Sequence, residues 1–188
     1  MIFSYLTYLL IILWAILPFR QIGKKHFYFF LAGISGDITT LIARIVFHSN
    51  TNLFVILFLF LAFISLLEWK LIIKYKIIAL LLIVVLSLIE ISSNYKVDFV
   101  LVVIINLSIL IAFLTDFILL YTTKRIYSLP LMLLILYELT VITKYLTILT
   151  EYKNAYPYFV LASIFEAVIG LFFCVFKEDN PRIIIQLK

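Results

Sequence analysis

FYFFLAGISGDITTLIARIVF, residues 27–47, decides what kind of molecule this chain makes. The stretch is long and apolar enough to cross a hydrocarbon layer about 30 Å thick, yet it carries Asp37 near its middle and Arg44 about two turns later. At about 3.6 residues per turn, Gly33, Asp37, Thr40 and Arg44 follow one another at steps of four, three and four. They form one stripe along one helix face. A charge at mid-bilayer costs roughly 2.5–3.5 kcal/mol on insertion scales, so the stripe is expected to turn away from lipid, toward other helices or a wet cavity.

The rest of the chain has the composition such a helix needs around it. Its 188 residues are 66% hydrophobic and 13% charged, against about half and a quarter in an ordinary soluble domain. A chain with mean hydropathy +1.24 needs a solvent other than water around it. The net charge of +5 does not point to nucleic acid, because the lysines and arginines are scattered between apolar spans and make no continuous basic patch. Cys174 is the only cysteine, which excludes an intrachain disulfide and a cysteine zinc site and leaves a small packing residue. His26 and His48 sit at opposite ends of one span, so no shared metal site is expected, and no cofactor motif occurs. There is also no G-x-S-x-G turn, no H-E-x-x-H and no glycine-rich phosphate loop, which leaves no catalytic signature.

Counting apolar runs between charged or turn-like stretches gives an all-α, polytopic transmembrane bundle of seven membrane-spanning helices. They run from about Ile2 to Phe19, Phe27 to Phe47, Leu53 to Leu67, Leu71 or Ile77 to Glu90, Phe99 to Tyr121, Ile126 to Leu149, and Pro157 to Phe176. MIFSYLTYLL lacks the basic start of a signal peptide, so the first span is read as a retained helix. Residues 1–176 form the transmembrane domain and 177–188 a short cytoplasmic tail. With the N-terminus outside, eleven of the fifteen lysines and arginines fall on the cytoplasmic side, which leaves Arg44, Lys96, Lys144 and Lys153 outside or toward it. Richness in Ile, Phe, Lys, Tyr and Asn suggests AT-rich coding, and the expected location is a bacterial cytoplasmic (inner) membrane.

Acids at similar depth in three spans carry the functional expectation. Glu138 lies mid-way along the sixth span and Glu166 mid-way along the seventh, beside Asp37 in the second. Asp37, Thr40, Arg44, Glu138, Lys144, Ser163 and Glu166 are therefore the candidate binding or ion-pathway residues. The plain alternative is that these charges pair with one another and only set helix register. Arg44 is expected to neutralise a buried acid; Glu138 and Lys144 lie on different faces of their helix and are not expected to pair. Ser163, Glu166, Ala167, Gly170 and Cys174 make a seam of small residues that admits a close neighbour. Asp37-Ile-Thr-Thr-Leu-Ile-Ala-Arg44 also resembles Glu138-Leu-Thr-Val-Ile-Thr-Lys144, the pattern a parallel repeat of three helices, a linker helix and three more produces.

Seven spans with an external N-terminus are similar in topology to microbial rhodopsins, but the last span, AYPYFVLASIFEAVIGLFFCVF, has no lysine to hold a retinal. The three-plus-one-plus-three layout looks like small carriers of the PQ-loop kind, but no Pro-Gln pair is present. The function expected is that of a non-enzymatic membrane protein, a small-ligand or proton sensor or a subunit of a larger membrane complex. The alternative is a small-solute or proton-coupled transporter. Expected partners are the lipid bilayer, a small polar ligand or proton, and another membrane protein or a further copy of the chain.

Overall fold

The computed structural model describes residues 2–46, 51–67, 95–152 and 155–186. Six α-helices account for nearly all of them: α1 (Ile2–Arg20), α2 (Phe27–Val46), α3 (Asn52–Leu66), α4 (Tyr95–Lys124), α5 (Leu129–Leu149) and α6 (Ala155–Val175). Each packs against the next in order and α6 returns to α1, so the six close into a ring. Four are long and apolar enough to cross a membrane: α2, α4 over Lys96–Lys124, α5 and α6. They fit an integral membrane protein. α1 over Tyr8–Arg20 and α3 are apolar but shorter, and the span expected between residues 71 and 90 lies outside the described residues.

Burial explains why water is the wrong solvent. Phe30, Phe113, Phe173, Leu17, Ile56, Ile109 and Ile169 fill the interior, while Ile12, Phe19, Ile42, Ile104, Ile111, Leu161 and Val168 stand on the outer surface, each about half exposed or more. On α6 the outer residues Leu161, Ile164, Val168, Leu171 and Val175 recur at helical spacing opposite buried Ser163, Glu166, Gly170 and Phe173. An apolar outer face of this extent is the mark of a lipid-facing bundle.

Two glycines set helix separations. A Cβ at Gly36 would sit 2.7 Å from Phe58 Cβ, and one at Gly170 would sit 2.7 Å from Leu13 Cδ2. The first lets α2 approach α3. The second realises the small-residue seam expected on the last span, with α1 as the neighbour it admits, and Cys174 Sγ lies 3.8 Å from the Leu13 carbonyl along the same seam.

The bundle has two polar ends. At one end Arg20 Nε donates to the Cys174 carbonyl at 3.1 Å, and Gln21 Nε2 donates to the carbonyls of Phe173 and Phe176 at 2.7 and 2.9 Å. These bonds occupy carbonyls that the end of α6 would otherwise leave orphaned. Lys24 pairs with Asp179, Lys25 with Asp116, and His26 Nδ1 meets Glu178 Oε2 at 2.5 Å. At the other end Lys96 pairs with Glu151 at 2.8 Å and Asn52 Nδ2 donates to Asp98 at 2.8 Å. α3 therefore ends at the first of these ends and α4 begins at the second.

Three boundaries differ from the sequence expectation. The fold is all-helical as expected, and the tail adds two short elements to it: Pro181–Ile183 make a 3-10 turn capped by Asn180, and β2 (Ile184–Gln186) pairs antiparallel with β1 (Ile126–Ser128). Ile126 was expected to open a helix, but its β-branched side chain and Tyr127 suit a strand once Ile184–Gln186 offers a partner. Ser128 then caps α5 by accepting from Leu131 N–H, with Pro130 in the first turn. Residues 95–98, expected as loop, instead begin α4, because Asp98 complements the helix N-terminus and is held by Asn52.

Candidate functional site

A cavity of about 570 Å³ lies inside the ring, with side chains from all six helices on its wall. α2 contributes Gly33, Asp37, Thr40 and Arg44, the whole stripe that opened the sequence reading. α5 contributes Glu138, Lys144 and two tyrosines, Tyr137 and Tyr145; α6 contributes Ser163 and Glu166. All seven sequence-predicted residues thus surround one space. α1, α3 and α4 add Trp14, Leu59, Ala62 and Asn106.

The charges are not evenly matched. Lys144 Nζ lies 2.9 and 3.1 Å from the two oxygens of Glu166, a two-pronged contact between α5 and α6 with both side chains mostly buried. Glu138, one helical face away, does not join it. It is only 1% exposed, and its Oε2 has no hydrogen-bond partner among the described residues. Thr40 Oγ1 is likewise buried and unpartnered there. Arg44 was expected to neutralise a buried acid, but among the described residues it makes no ion pair and is exposed at the last turn of α2. Seven residues separate it from Asp37, about 10 Å along the axis, so α2 cannot bring its own base onto its own acid.

Comparison with protein-family models, curated proteins and solved structures returned no match. The wall chemistry therefore has to speak for itself.

Most of that wall is apolar. The rings of Trp14 and Tyr137 lie 4.6 Å apart, tilted at 34°, and a Cβ at Gly33 would meet nothing within 4 Å, so the α2 stripe opens onto free space. Among the described residues, no three His, Cys, Asp or Glu side chains gather closely enough to hold a metal ion. An apolar, aromatic chamber with a few convergent polar groups is the usual form of a small-molecule site.

Sequence reasoning passed over Asn106, Tyr137 and Tyr145. Asn106 is buried, donates to the Val102 carbonyl at 2.7 Å and lines the cavity. Its signal was present, an amide in an otherwise aliphatic run. Tyr145 shares a helix face with Glu138 in the sequence, and Tyr137 was not singled out. Ser108, Thr115, Thr140 and Thr143 satisfy themselves on carbonyls one turn back and belong to helix surfaces, not to the site's polar groups.

Proposed function

We propose that the protein is a seven-span membrane protein that binds a small polar ligand inside its helix ring and signals through a partner. The single observation that carries this reading is the cavity itself: side chains from all six described helices line it, and one of the lining acids, Glu138, is deeply buried with a carboxylate oxygen that has no partner among the described residues. Groups of that kind are costly in a protein interior and persist where a ligand, proton or water completes them. A purely structural charge network would use Glu138 in a pair, as Glu166 is used. The chamber lies within the apolar depth of the helices and no soluble domain is present among the described residues, so a bound state has to be passed on through the helix ends.

The seven-span count with an external N-terminus is part of the proposal. It is supported by Arg20, Lys24, Lys25, Lys124, Arg125, Lys177 and Arg182 gathering at one end, which makes that end cytoplasmic by the positive-inside rule. α3 ends there and α4 begins at the opposite end, which supports the seven-span count. Cysteine accessibility tests it in a Cys174→Ala background: a cysteine at Glu151 is expected to react with an impermeant maleimide added to intact cells, and one at Lys24 only after permeabilisation. The reverse pattern, or equal reaction of both, overturns the orientation.

The transporter reading rests on the same chamber. The α2 wall from Gly33 to Arg44 covers about 16 Å of axial rise, a vestibule about half the hydrocarbon thickness long. Uptake by proteoliposomes separates the two. Saturable ligand binding without flux supports the binding protein, and flux lost in Asp37→Asn supports the carrier.

A further inference from the structure

We infer that the cavity selects an organic cation, an ammonium group carried on an apolar or aromatic body; this rests on the ligand-cavity reading above. The first argument is charge. Three carboxylates line the chamber against one base at their depth, Lys144, which is paired with Glu166. Arg44 stands about 10 Å further along α2, toward the helix end. Asp37 and Glu138 make no ion pair among the described residues, although the charge of Lys144 reaches Asp37, and Glu138 Oε2 is buried with no partner.

The second argument is the wall. Trp14 and Tyr137 lie 4.6 Å apart, tilted at 34°, on the same wall as the acids, and Tyr145 adds a further ring. Ring faces attract cations, and ammonium recognition by aromatic cages depends on that attraction. A divalent metal would instead need a set of oxygen ligands, and the described residues offer no three-ligand group. A chamber of about 570 Å³ is larger than a bare ion needs and falls in the range of small organic ligands.

Three probes that share a body and differ only in the head test this: phenethylammonium, phenethyl alcohol and phenylpropionate. They are titrated against the full chain in nanodiscs by calorimetry and by thermal shift. Phenethylammonium is expected to bind saturably, at least tenfold tighter than the alcohol, with phenylpropionate weakest. Asp37→Asn and Glu138→Gln are each expected to remove that preference. Gly33→Leu, which extends a side chain into open space, should abolish binding of all heads while the protein keeps its melting temperature. If the alcohol or the carboxylate binds as well as the ammonium, the cation class is overturned and the ligand cavity stands. If none of the three binds saturably to the wild-type chain, both are overturned.

Discussion

At the scale of single residues, the two basic side chains of the cavity have opposite fates, although the sequence presents them alike. Lys144 sits within reach of both oxygens of Glu166, whereas Arg44 has no acid beside it among the described residues. Lys144→Met is therefore expected to destabilise the solubilised bundle by several kcal/mol, because it strands a mostly buried carboxylate. Adding Glu166→Met should recover much of the loss, and a double-mutant cycle on chemical or thermal unfolding measures the coupling. Arg44→Ala is expected to change stability by no more than about 0.5 kcal/mol, the range of surface substitutions. A large loss of melting temperature in that variant would show that Arg44 has a partner after all. That the seven polar candidates line one cavity follows from the cost of a polar or ionisable side chain facing lipid from inside an apolar span. Which acid meets which base was not legible, because helix rotation and the neighbouring helix decide it.

At the scale of elements, close approach and end-capping do the work that buried charge does not. Gly36 and Gly170 face equally short contacts of different stiffness. The atom against Gly36 is Phe58 Cβ, tied to its backbone; the atom against Gly170 is Leu13 Cδ2, the free end of a flexible side chain. Gly36→Ala should accordingly cost about 1–3 kcal/mol by overpacking, and Gly170→Ala clearly less, read as the difference in unfolding midpoint. Gln21 is fully buried and serves three backbone groups at the end of α6, two carbonyls and the Glu178 N–H. Gln21→Leu leaves them unsatisfied in the interior and is expected to cost at least about 1–3 kcal/mol. Early hydrogen-deuterium exchange at residues 173–178 would report the fraying. The bounds of the six described helices were legible to within a few residues, since apolar length and flanking charge set them. The β1–β2 ladder was not, because Ile126–Ser128 and Ile184–Gln186 are far apart in sequence and each alone reads as a helix start or a loose tail.

At the scale of the whole molecule, the two polar ends are held partly by exposed ion pairs, and these give the chain a pH dependence. The Lys96 hydrogen bond and charge hold Glu151 below the ordinary carboxylate value of 4.5, and the Lys24 hydrogen bond does the same for Asp179 relative to 3.8. Both folded values are depressed, so the stability they contribute is present above the unfolded values and is lost as pH falls through the folded ones. A Glu151→Gln/Asp179→Asn variant is expected to match the wild-type melting temperature in strong acid and to fall slightly below it at neutral pH. High salt should erase the difference, because both carboxylates are exposed. A gap that persists in high salt would mean the pairs are not acting as exposed charges.

The amino-acid sequence by itself determined the solvent, the helices and the short list of polar residues that have to avoid lipid. Apolar length, charge placement and helical period are local properties, readable one stretch at a time. Only the tertiary structure decided that α6 closes the ring onto α1, that Lys144 and not Arg44 neutralises Glu166, and that Glu138 is left facing a chamber with an unpartnered oxygen. Those outcomes depend on how each helix is rotated about its axis and which helix lies beside it, and packing among all six helices sets both at once.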